Sequence, residues 1–169
     1  MDKDTQLARA AAAGDAAAFS QLVRRHEGAV RRFLLRLSSQ SADDLAQEVF
    51  IQAWRLGSTW RATGSYKSWL MGIAWTQFLA ARRGDQRRLA RETAWESPGA
   101  AIDTAARIDL MRALSELGER ERAAAILCFG EGCSHGEAAS IMKVPLGTLK
   151  SIVARARTQL AHRLEVAHD

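Results

Sequence analysis

The sequence predicts an all-α protein of two small helical domains joined by a flexible linker, the C-terminal one a helix-turn-helix. Apolar residues recur at three- and four-residue steps along most of the chain, which is the period of an amphipathic helix. Only 2 of the 169 residues are proline. The alternation of apolar and polar residues that is typical of β-strands is rare in this sequence. With 47% hydrophobic residues, the chain can bury a core.

The chain begins with an Ala-rich segment, residues 5–13, which predicts a short helix that ends at Gly14. Asp15 then suits the N-cap of a longer helix, because its carboxylate can accept amide protons from the first turn. The apolar positions of that helix are Phe19, Leu22, Val23, Val30, Phe33, Leu34 and Leu37. His26 lies within the same stripe, where we expect an imidazole satisfied by a neighbouring group.

The segment from Asp43 to Arg55 predicts a helix with two distinct faces. One side carries Leu45, Ala46, Val49, Phe50, Ala53 and Trp54. The other side carries Asp44, Gln47, Glu48, Ile51, Gln52 and Arg55. The acidic residues lie in the first turns, where the helix dipole favours negative charge. Ile51 is apolar within the polar face, and this mixture is typical of a protein-binding surface.

The loop before the next helix contains Trp60 and Arg61, and the helix is predicted from Tyr66 to Arg83. Apolar residues go nearly all round this helix, so some of them must meet a partner other than one core face. Arg82 and Arg83 follow the aromatic residues. Rings beside arginines can bind single-stranded DNA through base stacking and phosphate neutralisation. Core aromatics beside a solubilising basic tail would have the same composition, so this alternative stays open.

Residues 90–107 contain Ser-Pro-Gly and predict an interdomain linker. The resulting boundaries are 1–92 for the first domain, 93–108 for the linker and 109–169 for the second domain. A short helix from Ile108 follows, and Gly118 is its expected C-cap. The next helix is expected to end at Gly130.

The last part of the chain predicts two helices joined by a turn. Ser134 and Glu137 fit a capping box, and Pro145 interrupts that helix and is well placed to open the next. The second helix has an apolar stripe of Leu149, Ile152, Val153, Ala156, Leu160 and Leu164. Its outer side carries Ser151, Arg155, Thr158 and His162, flanked by Lys150 and Arg157. This pattern is typical of a helix-turn-helix that enters a major groove, although an ordinary helical hairpin also fits.

The net charge of +5 is spread unevenly. Residues 1–92 carry +6, residues 93–108 carry −1, and residues 109–169 are neutral overall. The basic first half indicates a polyanionic partner. No apolar run approaches the roughly 20 residues needed to cross a bilayer, and the N-terminus lacks the apolar core of a signal peptide. We therefore predict a cytoplasmic protein without membrane insertion.

Enzyme and metal chemistry find little support in the sequence. Cys128, Cys133 and His135 give at most three neighbouring ligands, whereas a closed zinc site needs four. The cysteines are expected to remain thiols in the cytoplasm. There is no phosphate-binding glycine loop, zinc-protease motif or nucleophile elbow. We predict no catalytic residue, no metal and no cofactor.

Two runs of residues resemble the extracytoplasmic-function (ECF) sigma factors, small bacterial proteins that direct RNA polymerase to promoters. Val-Pro-Leu-Gly-Thr-Leu-Lys-Ser, from Val144 to Ser151, resembles the DNA-binding signature of the family. Residues 43–55 resemble the segment that docks on the clamp helices of the polymerase β′ subunit. The resemblance covers most of residues 15–165. It implies binding to core RNA polymerase, including its β subunit, binding to promoter DNA, and inhibition by an anti-sigma factor.

The resemblance also implies roles for individual residues. The polymerase-binding residues would be Asp44, Gln47, Glu48, Ile51 and Gln52. The contacts to the −35 element would be Thr148, Lys150, Ser151, Arg155 and Arg157. The contacts to the −10 element would be Trp60, Arg61, Tyr66, Lys67, Arg82 and Arg83. The chain departs from the family pattern at Trp75, Thr76, Ala80, Gly118 and Ile152, where Arg, Asn, Asp, Pro and Arg are usual.

Two other classes of protein remain as alternatives to a sigma factor. A stand-alone helix-turn-helix regulator would bind duplex DNA tightly without polymerase, and it would leave the polar face of residues 43–55 without a role. A pure interaction protein would give no promoter preference even with polymerase bound.

Overall fold

The computed structural model describes residues 2–38, 41–89 and 105–166. Within these ranges the regular structure is helical, and no strand occurs, which confirms the predicted all-α fold. The chain divides into two compact units. The first comprises Met1–Leu34 and Ser41–Ala94, and the second comprises Leu35–Gln40 and Trp95–Asp169.

The described residues contribute four helices mainly to the first unit. They are α1 (Lys3–Ala12), α2 (Ala16–Leu37), α3 (Ala42–Leu56) and α4 (Tyr66–Leu89), with a 3₁₀ turn at Gly57–Thr59. Asp2 caps α1, and Gly14 follows that helix with a φ of 99°, a backbone angle that favours glycine. Asp15 Oδ1 accepts the amides of Ala17 and Ala18 at 2.9 and 3.0 Å, which confirms the predicted N-cap.

The core of the first unit is formed by the apolar sides of α2, α3 and α4. Its fully buried side chains include Leu22, Val30, Phe33, Leu34, Val49, Leu70, Met71 and Phe78. His26 is also buried, and its Nε2 lies 2.8 Å from Asp4 Oδ2 on α1, which confirms the prediction of a satisfied imidazole. Arg25 Nε donates to the other oxygen of Asp4 at 2.6 Å. One carboxylate therefore ties α1 to α2.

The second unit contains four helices within the described ranges: α5 (Ala105–Ser115), α6 (Glu119–Ala125), α7 (His135–Met142) and α8 (Leu146–Val166). A π-helical turn at Ile126–Gly130 continues α6 and ends at the glycine expected to close that helix. Helix α5 begins inside the segment predicted as linker. Residues 93–104 of that prediction lie outside the described residues.

Gly118 differs from its predicted role as the C-cap of α5. That helix ends at Ser115, and Gly118 is the N-cap of α6, with φ −57° and ψ 154°. The end of α5 is capped instead by Arg122 of α6. Its guanidinium donates to the carbonyl oxygens of Leu114, Ser115 and Leu117 at 2.7, 2.5 and 3.0 Å. These bonds satisfy carbonyls that a helix end leaves exposed, and they fix α6 against α5.

The turn between α7 and α8 has the predicted geometry. Ser134 Oγ accepts the Glu137 amide at 3.2 Å, and Glu137 Oε2 accepts the Ser134 amide at 2.9 Å, which confirms the capping box. Lys143 ends α7 with a φ of 54°, and the Pro145 carbonyl accepts the Leu149 amide at 3.0 Å as α8 begins. Helices α7 and α8 therefore form the helix-turn-helix.

Candidate functional site

The exposed surface of α8 carries the five residues predicted to contact the −35 element. The helix buries Leu149, Ile152, Val153 and Ala156. It exposes Thr148, Lys150, Ser151, Arg155 and Arg157, which we call the recognition surface. Ile152 therefore belongs to the core, whereas the arginine usual at this position would need access to solvent. Helical spacing accounts for this separation of a buried stripe from a polar outer side.

Two arginines of the recognition surface have partners inside the second unit. Arg155 donates from Nε and NH2 to Glu121 Oε1 on α6 at 3.3 and 3.2 Å. The Arg157 guanidinium lies 5.5 Å from the centroid of the Phe129 ring on the π-helical turn. The side chain of Arg155 is still 56% exposed. Both cations are thus held at the protein surface without being buried.

An open groove of about 900 Å³ lies between α2 and α3 in the first unit. Its apolar lining consists of Phe19, Val23, Ala46, Phe50, Ile51 and Trp54. Trp54 is 42% exposed and packs against Phe19, with ring centroids 5.0 Å apart. We call this feature the α2–α3 groove. Large apolar side chains exposed along one groove are typical of a protein-binding surface.

The residues predicted to bind polymerase lie in or beside this groove. Gln47 and Ile51 are part of its lining. Asp44 and Glu48 are exposed on α3, and Gln52 is half-buried. The structure therefore leaves all five at least partly accessible on one helix, and it brings two of them into the groove.

An ion pair joins the two helices that form the groove. Arg31 on α2 donates from Nε to Asp43 Oδ1 at 2.6 Å and from NH2 to Asp43 Oδ2 at 3.3 Å. The hydrogen bond to this carboxylate raises the pKa of Arg31. Both side chains are exposed, and such pairs contribute little to stability. The Arg31–Asp43 pair instead affects the geometry of the groove, because it fixes the positions of two polar side chains in the lining.

The apolar face predicted for α3 is only partly in the core. Val49 and Ala53 are buried as expected, whereas Trp54 is exposed and Phe50 is half-buried. The reason is that the apolar stripe of α3 is wider than the strip its neighbours cover. The sequence pattern did not identify Phe19 and Trp54 as groove residues, although the width of this stripe is a usable signal.

The aromatic residues around the start of α4 form a cluster. Trp60 packs edge-on against Tyr66 with ring centroids 5.5 Å apart, and Tyr66 lies 5.3 Å from Trp69. Tyr66 is only 4% exposed, and burial together with nearby Asp4 raises its pKa to about 12. Trp60 and Trp69 remain half-buried. The two tryptophan rings are therefore the accessible members of the cluster, and the buried Tyr66 packs against both.

The basic residues predicted at the −10 element are spread along the loop and α4. Arg61 is exposed in the loop, and Lys67 is half-buried in the first turn of α4. Arg82 is half-buried, and Arg83 is exposed with its Nε donating to the Leu79 carbonyl at 3.3 Å. A helix rises about 22 Å from Lys67 to Arg82. The structure therefore separates the two C-terminal arginines from the aromatic cluster.

Metal and thiol chemistry have no assembled site in the described part of the chain. No group of three or more His, Cys, Asp or Glu residues there is placed to hold a metal ion. Cys128 and Cys133 form no disulfide in the described part of the chain, and burial raises the pKa of the Cys128 thiol, so this thiol stays protonated at neutral pH. Among the helices described, none is long and apolar enough to span a membrane.

Both units have known relatives. Residues 22–88 match the family Sigma-70 region 2, and residues 107–160 match Sigma-70, region 4. The chain is 35% identical over 174 residues to the ECF RNA polymerase sigma factor SigE of Mycolicibacterium smegmatis, covering 94% of this chain and 67% of SigE. It is 34% identical over 168 residues to SigM of Mycobacterium tuberculosis, covering 95% of this chain and 84% of SigM.

A solved structure gives the same assignment. The sigma factor RpoE, in its complex with the anti-sigma factor NepR from Bartonella quintana, matches with a TM-score of 0.75 and 30% identity. The match covers 88% of this chain and 97% of RpoE. The Sigma-70 region 2 match does not favour a stand-alone helix-turn-helix regulator. The chain therefore belongs to the ECF sigma factors, the alternative sigma factors of the sigma-70 family that direct RNA polymerase to promoters for transcription initiation.

Proposed function

We propose that the two units divide the work of this sigma factor. Residues 1–92 bind core RNA polymerase and the −10 element, and residues 109–169 bind the −35 element. The observation that supports this most strongly is the α2–α3 groove with its exposed Trp54. A protein that only bound DNA would have no use for such an apolar surface.

The α2–α3 groove suits a helical partner such as the clamp helices of the polymerase β′ subunit. A groove between two helices accepts the apolar face of a third helix, and Ile51 and Trp54 supply the apolar contacts. Asp44 and Glu48 lie beside it on the exposed side of α3, and Gln47 and Gln52 offer hydrogen bonds. The acidic side chains favour a partner with basic residues next to its apolar stripe.

The recognition surface suits the major groove at the −35 element. Arg155 is the candidate for a base edge, because arginine forms paired hydrogen bonds with guanine. Lys150 and Arg157 are candidates for phosphate contacts, which supply affinity rather than sequence information. Thr148 and Ser151, at the N-terminal end of α8, add hydroxyl groups for bases or phosphates.

The aromatic cluster before and within α4 suits an unpaired strand of the −10 element. Trp60 and Trp69 offer ring surface on which a base can stack, while Tyr66 holds them in place. Arg61 and Lys67 are next in sequence to Trp60 and Tyr66 of the cluster, and they are the candidates to neutralise phosphates beside a stacked base. Arg82 and Arg83 would reach a different part of the promoter, farther along α4.

Two further properties follow from membership of the family. RpoE has been solved with an anti-sigma factor, and we propose an anti-sigma partner for this chain that covers the α2–α3 groove or the recognition surface. We propose a cytoplasmic protein with no catalytic activity of its own, because a sigma factor lends promoter specificity to the catalytic polymerase.

Charge reversal on α3 tests the polymerase assignment. The double variant Asp44→Lys, Glu48→Lys should weaken binding to core RNA polymerase by about tenfold or more, because like charges across an interface are strongly unfavourable. The double variant Asp44→Asn, Glu48→Gln is the matched control and should have a smaller effect. Binding is measured by pull-down, followed by run-off transcription from a randomised promoter pool.

The outcomes separate the sigma factor from the other classes of protein. A folded charge-reversal variant that bound core polymerase as tightly as the wild type would contradict the assignment of α3 as a polymerase-binding helix. Wild-type protein that bound polymerase but started no specific transcript would favour a pure interaction protein. Tight, specific duplex binding by the free protein without polymerase would favour the stand-alone regulator.

A further inference from the structure

We propose that Glu121 is a positioning residue that presents Arg155 to a guanine of the −35 element, and that Gly118 provides the space for its carboxylate. This inference rests on the proposed function of the recognition surface. It adds a residue of α6, outside the helix-turn-helix, to the determinants of promoter sequence.

The hydrogen bonds of Arg155 leave its outer edge available. Nε and NH2 donate to Glu121 Oε1 at 3.3 and 3.2 Å, and this uses the side edge of the guanidinium. Arginine has five N–H donors, so both protons on NH1 and one on NH2 remain without a partner among the described residues. Those two nitrogens form the pair that can donate to O6 and N7 of guanine in the major groove.

Glu121 is well anchored for this purpose. Its side chain is only 20% exposed, compared with 56% for Arg155. Helix α6 is held to α5 by the bonds from Arg122, and Ala123 and Ala124 are completely buried next to it. A long arginine side chain loses rotamer freedom when it binds, and a fixed carboxylate removes part of that loss beforehand.

Gly118 supplies a second, independent observation. A Cβ added at this position would lie 2.6 Å from Glu121 Oε2, so the carboxylate would have to move. The backbone itself does not require glycine, because φ −57° and ψ 154° suit alanine and proline equally well. The ECF pattern usually has proline here. A side chain at position 118 would therefore displace the Glu121 carboxylate from the place that it occupies in this structure.

A competing interpretation assigns Glu121 the opposite effect. A carboxylate near DNA repels phosphates, so Glu121 could lower the affinity of the recognition surface for every sequence alike. Positioning predicts instead that Glu121 changes the preference for one base. A measurement of base preference therefore distinguishes the two interpretations. A purely structural role for Glu121 in α6 would leave that preference unchanged.

The test uses full-length protein assembled with core RNA polymerase and a pool of duplex oligonucleotides randomised over the −35 region. Sequencing of the bound DNA gives the base preference at each position for wild type, Arg155→Ala, Glu121→Gln and Gly118→Ala. The matched control is Glu116→Gln, which removes an equal charge and an ion pair to the same helix, at Arg163. Thermal melts check that each variant is folded.

We expect Arg155→Ala to abolish a guanine preference at one position. Glu121→Gln and Gly118→Ala should reduce the preference at that same position by about fivefold, the lower end of what an arginine–guanine pair provides. The other positions, and the Glu116→Gln control, should keep the wild-type pattern. Gly118→Ala is the sharper variant, because alanine at this backbone geometry should not destabilise the fold.

The remaining outcomes overturn the inference in distinguishable ways. If Arg155→Ala loses the guanine preference but Glu121→Gln and Gly118→Ala both keep it, the recognition surface stands and the positioning role fails. If Glu121→Gln recovers more DNA of every sequence with the guanine preference intact, Glu121 is a competitor for phosphate. If the wild-type complex selects no sequence, the proposed function fails together with this inference.

Discussion

The α2–α3 groove and the recognition surface of α8 differ in the chemistry that they expose. The groove presents large apolar side chains, above all Trp54, with polar groups beside them. The recognition surface presents hydroxyls and cations, and Arg155 and Arg157 are each held by a protein partner. Under the proposed function, the first surface would select a partner by shape and burial, and the second by charge and hydrogen-bond direction.

This difference predicts opposite responses to salt. Burial of apolar surface depends weakly on ionic strength, whereas contacts to DNA phosphates release counterions and weaken steeply as salt rises. Binding to core polymerase should therefore persist at salt concentrations that remove the −35 contact. Variants on each surface should affect one property and leave the other intact.

The largest effect should come from Trp54→Ala. Loss of this exposed ring should reduce affinity for core polymerase by roughly 30-fold, because tryptophans at the centre of an interface carry much of its binding energy. Leu56→Ala is the control, since Leu56 is 41% exposed on α3 but does not line the groove. Titration of labelled core enzyme measures both. Equal losses for the two variants would contradict the assignment of the groove.

Arg155→Ala should come next, with a loss of about tenfold in binding to the preferred duplex by the assembled polymerase complex. Sequence discrimination should fall with affinity, because the lost contact is to a base edge. Affinity for core enzyme should not change. Arg163→Ala, farther along α8 and paired with Glu116, serves as the control. A loss that is equal for preferred and random duplexes would instead identify Arg155 as a phosphate contact.

The helix-turn-helix could be predicted from sequence because its signals are local. The capping box of Ser134 and Glu137, the break at Pro145 and the apolar stripe of α8 each depend on residues a few positions apart. The structure reproduces all three. The order of helices in the first unit was predictable for the same reason.

The parts that escaped prediction depend on tertiary contacts. Glu121 meets Arg155 across 34 positions of sequence, and nothing in either local pattern indicates the other. Gly118 was expected at the end of α5, because a glycine after an apolar run is typical of a C-cap. The exposure of Trp54 depends on how much of α3 its neighbours cover. The spacing of apolar residues shows which face of a helix points to the core, but it does not show how much of that face the neighbouring helices cover.

Lys150→Ala should have a smaller effect, about threefold at moderate salt, and it should be nearly the same for all sequences. The salt dependence is the more telling readout. Loss of one phosphate contact should reduce the slope of log affinity against log salt by about one. Binding by the assembled complex is measured over a salt series, with Ser151→Ala as an uncharged control on the same surface. An unchanged slope would show that Lys150 does not contact phosphate.

The smallest effect should be on stability, and it should distinguish the two units. Burial lowers the pKa of His26, with Arg25 and Lys67 acting in the same direction and Asp4 opposing them. The unfolded chain therefore binds more protons as the pH falls below about 6.5. The contribution of His26 to the free energy of unfolding of the first unit should therefore be complete above that pH. It should decrease as the pH falls towards the lowered pKa of His26.

Tryptophan fluorescence can follow this decrease, because four of the five tryptophans lie between Trp54 and Trp75 in the first unit. Acidification should lower the Tm of the first unit by a few degrees. His26→Gln should flatten that dependence in the same pH window, whereas His135→Gln, at an exposed position in the second unit, should leave it unchanged. A pH dependence that survived in His26→Gln would mean that another group of the first unit titrates.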